Sequence, residues 1–408
     1  MSRRRLDLSQ FAAERSVVAG ICAQVAAEGD EALRVLGKKF DGWAPGPDES
    51  FEVPKSELAT AAGRLPAADR AALEFAAQRI RDFHVRQVQP PAIGPPGLKL
   101  ITRPVRRAGL YAPGGRAAYP STVLMTVIPA RVAEVDQVVL ATPPRADGSV
   151  PSAILAAAHI AGVDAVYRIG GAQAVAALAY GTATIPRVDV VAGPGNIYVT
   201  LAKKEVFGAV GVDGIAGPTE VMVIADAGAR PDFVAADLAA QLEHDPLAWA
   251  VLLTDSPQLA DRVEEELESL VSGLERKEII RKASCCIIVV DGLEQAVHLA
   301  NDFAPEHLLI VTSDAARLAA QVENAGAVFV GPYATVPLGD YVAGPNHTLP
   351  TSGAARFSSP LGVHTFLKRT SMLSLNRGDL EMLRESCVRL AEMEGLGAHA
   401  HAVEVRLE

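Results

Sequence analysis

Cysteine is scarce and unpatterned in this sequence. Cys22, Cys285, Cys286 and Cys387 are the only ones in 408 residues, and none stands in a CxxC spacing. A disulfide framework and a cysteine-held zinc are both excluded, and a reducing, cytoplasmic setting fits. Missing too is any run of the roughly 20 apolar residues that a membrane helix needs. Arg3-Arg4-Arg5 has no apolar stretch behind it, so no signal peptide is expected. Excess positive charge is absent: the formal net charge of −10 gives no reason to expect nucleic acid or an anionic membrane as partner. Finally, no GxGxxG follows a strand-like run, so the standard dinucleotide fingerprint is lacking.

What is present is a globular composition, 49% apolar and 21% charged, long enough for two or more domains. Residues 1–16 read as a polar arm. Val17 to Leu36 and Leu65 to Val88 carry helical periodicity, and Pro90-Pro91 and Pro95-Pro96 break the chain before an extended segment, Leu98 to Val105. From there short apolar or β-branched runs alternate with helical stretches: Ala108 to Leu110, Val138 to Ala141, Ala165 to Ile169, Val188 to Val191, Val221 to Ala225, Ala250 to Leu253, Ile287 to Val290, Leu309 to Val311 and Val328 to Val330. That rhythm predicts α/β units with largely parallel sheets. The runs from Val138 to Pro143 and from Val251 to Pro257 are faintly alike, a hint of two similar lobes. Cys285-Cys286 opens an apolar run and is expected in the core. After Pro360 come Thr370 to Asn376, a helix from Leu380 to Met393, and a histidine-bearing tail.

Three glycine-rich turns follow strand-like runs: Tyr111-Ala112-Pro113-Gly114-Gly115, Gly170-Gly171-Ala172-Gln173 and Gly193-Pro194-Gly195-Asn196. Such turns lie at the carboxyl edge of a parallel sheet, where backbone can approach a phosphate. One alone is usually a tight connection; three in one lobe make a nucleotide site plausible. Gln241 and His244 are three apart on a helical run, one face of which could hold a metal. Asp340 and His347 share an irregular, glycine-rich loop, and Glu394 and His399 form a third acid/histidine group. Nitrogen and oxygen donors of this kind suit zinc without cysteine. In Ala304-Pro305-Glu306-His307-Leu308 a carboxylate stands beside an imidazole on a turn ahead of a strand. Alone the pair reads as a solvated acid and a packed histidine; in this company it supplies two proton acceptors with different tasks.

Together these segments resemble histidinol dehydrogenases over about residues 15–405. The resemblance rests on Gly193-Pro194-Gly195-Asn196, Ala216-Gly217-Pro218-Thr219-Glu220, Gln241-Leu242-Glu243-His244, Phe303-Ala304-Pro305-Glu306-His307, Asn346-His347-Thr348-Leu349-Pro350-Thr351, and Glu394-Gly395-Leu396 with His399. It implies a zinc- and NAD-dependent oxidation of L-histidinol to L-histidine, the last step of histidine biosynthesis, with one Zn²⁺ per subunit. By resemblance Glu306 activates water and His307 is the acid/base. Gln241, His244, Asp340 and His399 bind zinc. Thr219, His347 and Glu394, with His307 and the zinc ligands, contact substrate, and Tyr111, Gln173 and Asn196 contact NAD. It further implies a homodimer whose C-terminal tail completes the partner's site. The implied fold has two incomplete Rossmann-like lobes with mainly parallel sheets, a small N-terminal arm and a small C-terminal domain. Its segments are the arm 1–16, a catalytic/zinc lobe from 17–110 and 221–360, an NAD lobe 111–220 and a dimerisation tail 361–408. A related zinc/NAD dehydrogenase for another small polar alcohol, a zinc hydrolase and a non-catalytic scaffold are the alternatives. The sequence departs from the pattern at His364, where an aromatic such as tyrosine is expected.

Overall fold

A computed structural model describes residues 11–47, 49–114 and 118–408. Most of the expected polar arm lies outside the described residues, and a helix, Ala12–Glu28, already occupies its end. In chain order the strands are β1 (Ala92–Ile93), β2 (Leu98–Pro104), β3 (Arg107–Tyr111), β4 (Gln137–Thr142), β5 (Ala165–Arg168), β6 (Val190–Ala192) and β7 (Gly211–Val212). They continue with β8 (Glu220–Ala225), β9 (Trp249–Thr254), β10 (Ser284–Val289), β11 (His307–Val311), β12 (Ala327–Val330) and β13 (Leu367–Leu373).

Two five-stranded sheets have the orders β5-β4-β3-β6-β7 and β10-β9-β8-β11-β12, and every pairing in them is parallel. Numbered within its own lobe, each sheet reads 3-2-1-4-5. That is the Rossmann order without its sixth strand, so the two incomplete Rossmann-like lobes are present. β4 and β9, which carry the faint internal likeness, hold the same second place in their lobes.

The central strands are buried on both faces and so read as continuous apolar runs rather than alternating ones. All six residues of β8, Glu220 to Ala225, are buried. Alternate residues serve opposite faces: Val221, Val223, Leu252 and Leu309 join one core, and Met222, Ile224, Val251, Leu308 and Ile310 the other. In the first lobe, Val18, Ile21, Val25 and Leu33 from the N-terminal helices share one core with β4, β5 and the helix Gly171–Tyr180. Backbone bonds from Val53 to Val166 and from Arg168 to Phe51 tie the same N-terminal region to β5. The early helices thus pack on the first sheet, although 17–110 reads from sequence as part of the other lobe. Their amphipathic stripes carry no mark of which sheet they cover.

Cys285 and Cys286 are exposed, against the sequence expectation. β10 is the outer strand of its sheet, so an apolar run there has only one paired side.

Both lobes belong to one compact unit; Gln89–Pro104 and Leu367–Glu408 form a second. The second holds the antiparallel sheet β1-β2-β13 and the helices Arg377–Met393 and Gly397–Glu404. Asn376 and Asp379 close the first of these helices with a reciprocal capping box. Ala391 and Ala400 are the only buried residues of this unit.

Candidate active site

The acid/base pair stands at the start of β11. The helix Leu293–Phe303 ends in Ala304, which adopts left-handed backbone with φ +50°. No helix begins at Pro305; the chain turns there directly into β11, whose first residue is His307. β11 is an inner strand between β8 and β12, and the pair sits at its amino end rather than at an outer strand. Glu306 and His307 are 7% and 4% exposed, with Glu306 Oε2 3.6 Å from His307 Nδ1.

A chain of donors fixes the carboxylate. Gln241 Nε2 donates to Thr219 Oγ1. Thr219 Oγ1 donates to Glu306 Oε2 at 2.6 Å, and the Glu220 backbone N–H reaches the same oxygen at 2.9 Å. His307 Nδ1 lies 3.0 Å from the Glu220 carbonyl oxygen, which requires that this nitrogen carry the proton. Nε2 is then the exchanging nitrogen. It is buried without a hydrogen-bond partner, and Asp340 Oδ1, at 3.9 Å, is a charge neighbour only. Burial raises the Glu306 pKa to about 7 and outweighs the attraction of His307. For His307 burial pulls downward, but the carboxylates of Glu306 and Asp340 prevail and raise it to about 9. In this dry site burial favours the neutral form of Glu306, and the neighbouring carboxylates favour the protonated form of His307.

The remaining site residues come from segments around the amino ends of β8 and β11. Gln241 is in the last turn of the helix Pro231–Leu242 and is buried. His244 falls just beyond the helix end instead of on its face, because Asp245 precedes Pro246 and the residue before a proline avoids helix. Asp340 is on a short helix, Val336–Tyr341, where the sequence reads as loop; Pro337 in its first turn favours the start. Its backbone oxygen accepts from His347 Nδ1 at 2.9 Å.

Burial lifts the Asp340 pKa, but His307, His347 and His244 more than offset this, so the carboxylate stays ionised. The crowding of protein around His244 and His347 lowers both of their pKa values, although the His244 ring also has exposed surface. A neutral imidazole, an ionised carboxylate and an amide fit a borderline cation such as zinc. Among the described residues no three His, Cys, Asp or Glu side chains form a metal group. His244 and Asp340, whose charges act on each other, and the buried Gln241 all belong to the first compact unit. Glu394 and His399 belong to the second unit and are exposed there.

The loop 344–351 links this site to the first lobe. Asn346 Nδ2 donates to the Met125 carbonyl at 2.6 Å, and His347 Nε2 lies 3.4 Å from Thr122 Oγ1. Thr122 and Met125 are on the helix Pro120–Val132, which follows β3.

The three nucleotide candidates line the carboxyl edge of the first sheet. Tyr111 ends β3, and its hydroxyl accepts from the Gly171 N–H at 3.1 Å. Gln173 donates to Asp41 at 3.3 Å. Asn196 caps the helix Ile197–Val206, accepting from Tyr198 N and Val199 N. Residue 115, in the first glycine turn, lies outside the described residues. The turn after β6 is fixed from below by a buried ion pair. Lys203 donates to the Gly193 carbonyl at 3.1 Å, and Asp213 accepts from the Gly193 N–H at 2.8 Å. Sequence reading missed Lys203, Asp213 and Asp41, because each lies far in sequence from the turn it supports.

Gly193 has φ +122°, and a Cβ there would stand 2.1 Å from the Tyr111 carbonyl oxygen. Gly193→Ala is expected to destabilise the fold by more than about 2 kcal/mol, read as a lower urea midpoint at unchanged slope. A midpoint equal to wild type would contradict the crowding.

Residues 3–407 match the family model described as histidinol dehydrogenase. The chain belongs to the histidinol dehydrogenase family. Histidinol dehydrogenase of Parasynechococcus marenigrum (strain WH8102) is 49% identical over 412 residues, covering 99% of this chain and 93% of the relative. That of Prochlorococcus marinus (strain MIT 9313) is 48% identical over 400 residues, covering 96% and 90%. The crystal structure of histidinol dehydrogenase from Elizabethkingia anophelis is 35% identical and matches with a TM-score of 0.90, covering 98% of this chain and 92% of that one.

Proposed function

We propose that this chain oxidises L-histidinol to L-histidine through L-histidinal, using two NAD and one water. The observation that carries the reading is the buried Glu306–His307 pair, with Glu306 fixed by Thr219 and Glu220 and with His307 Nε2 unpartnered. In the first oxidation the neutral form of His307, reached once the proton favoured by Glu306 and Asp340 has left Nε2, takes the hydroxyl proton while hydride leaves the carbinol carbon for NAD. Glu306 then takes a proton from the water that adds to the aldehyde. His307, having passed its first proton to solvent, takes the hydrate's hydroxyl proton as the second hydride leaves for a second NAD. No cysteine nucleophile is needed: Cys22 is buried, and the other three cysteines play no part in this site.

Gln241, His244 and Asp340 would hold zinc with His399 of the other subunit. When bound, it orients the substrate's imidazole and amino group. Thr219, His347 and Glu394 contact substrate, and Tyr111, Gln173 and Asn196 contact NAD. We assign the enzyme to the cytoplasm as a homodimer. In support of the dimer, the helix Arg377–Met393 exposes Met382, Leu390 and Met393 at 74%, 59% and 72%. Exposed apolar side chains on one helix support the reading of that helix as an interface.

The test is stoichiometric: purified enzyme should form two NADH per histidinol consumed. One NADH per substrate would leave an alcohol dehydrogenase and remove the aldehyde stage. Metal content checks the ligand set separately. His244→Ala is expected to lose at least tenfold in zinc affinity, measured by competition with a chelator. Zinc retention equal to wild type would remove His244 from the set.

A further inference from the structure

We propose that Glu220 is the positioning residue of the acid/base pair, holding Glu306 and His307 in their reacting orientations. The inference rests on the role given to that pair above. Glu220 opens β8, the strand beside β11, and is 3% exposed. Its backbone N–H donates to Glu306 Oε2 at 2.9 Å, and its backbone oxygen faces His307 Nδ1 at 3.0 Å. Its own carboxylate turns back: Oε2 accepts the Glu306 backbone N–H at 3.4 Å, and Oε1 accepts the Ser352 backbone N–H at 2.9 Å. Glu220 and Glu306 thus exchange hydrogen bonds, each side chain accepting from the other's main chain.

A buried carboxylate is costly unless its oxygens are hydrogen-bonded. Here two of its bonds go to the main-chain segments that deliver the pair. The first is the entry to β11. The second is the 351–353 loop, where Thr351 Oγ1 also accepts from the Gly217 N–H at 2.5 Å. Ser352 has φ +55° and Ala304 φ +50°. Side-chain-bearing residues are uncommon in that region, and such backbone persists where the surroundings over-determine it. These are two of the three such residues among those described, and both are adjacent to the Glu220–Glu306 exchange. A glutamine at 220 offers one acceptor oxygen where two N–H donors converge, and its NH₂ group would face the other donor.

The experiment compares Glu220→Gln, Glu306→Gln and the double variant as zinc-loaded dimers, in single turnovers of histidinal with NAD. Glu220→Gln is expected to lower the turnover rate on the order of 10- to 100-fold, as displaced catalytic groups do, with KM for histidinal and NAD and the zinc content unchanged. The double variant should lose less than the product of the two single losses, since Glu220 acts through Glu306 as well as through His307. A wild-type rate for Glu220→Gln, or losses that multiply in the double variant, overturns the inference. Wild-type turnover by Glu306→Gln would instead overturn the role of the pair, and this inference with it. Should Glu220→Gln fail to fold, Glu220→Asp keeps both acceptor oxygens but retracts them by one methylene. The same failure to multiply with Glu306→Gln is expected of it.

Discussion

Glu306→Gln slows the second oxidation on the order of 100-fold and the first far less. The expectation follows from what each stage asks of the carboxylate. The alcohol stage needs a base for one hydroxyl proton, and His307 Nε2 supplies it. The aldehyde stage first needs a water activated, and this is the task assigned to Glu306. Glutamine is a fair probe, because its oxygen can still accept from Thr219 and from the Glu220 N–H, the two donors that now hold Glu306 Oε2. Geometry is kept while basicity is removed. Single-turnover rates with histidinol and with histidinal separate the stages. Equal loss on the two substrates would deny Glu306 a role specific to the water.

The second large effect concerns the tail. His399→Ala and Glu306→Ala are each expected to be nearly inactive as homodimers, yet a mixture unfolded and reassociated should recover about a quarter of full activity. Random pairing makes half of the dimers mixed, and each mixed dimer has one site with both lesions and one with neither. In the ligand set proposed above, Gln241, His244 and Asp340 belong to the first compact unit and His399 to the second. His399 is exposed on the helix Gly397–Glu404 of the second unit. Mixtures as inactive as the separate variants, with wild type recovering under the same treatment, would mean that the tail serves its own subunit.

Much of the fold was legible in sequence, because buried parallel strands leave short apolar runs and the turns after them leave glycines. The runs at Val138 and Val251 even mark the same strand of the two lobes. What local pattern could not show was partnership. The N-terminal helices pack on the first sheet, and no feature of their own sequence says so. Cys285-Cys286 reads as core because an apolar run does not reveal whether its strand is inner or outer. The site was legible as residue types, and Gln241, His244, Glu306, His307, Asp340 and His347 do converge. The supporting shell was not. Lys203 and Asp213 meet at a glycine 10 and 20 residues away. Glu220 lies in the Ala216-Gly217-Pro218-Thr219-Glu220 run, but its contacts are to backbone groups, one of them in a loop more than a hundred residues on.

The second unit has a thermodynamic consequence. Two buried alanines, Ala391 and Ala400, bring it almost none of the burial that offsets chain entropy. Met382, Leu390 and Met393 of its longer helix are 74%, 59% and 72% exposed. In the homodimer proposed above a second copy of the chain covers these side chains, so protein concentration enters the unfolding equilibrium directly. Dilution then acts on this unit as urea acts on an ordinary domain, and a protease added to very dilute enzyme would cut there first.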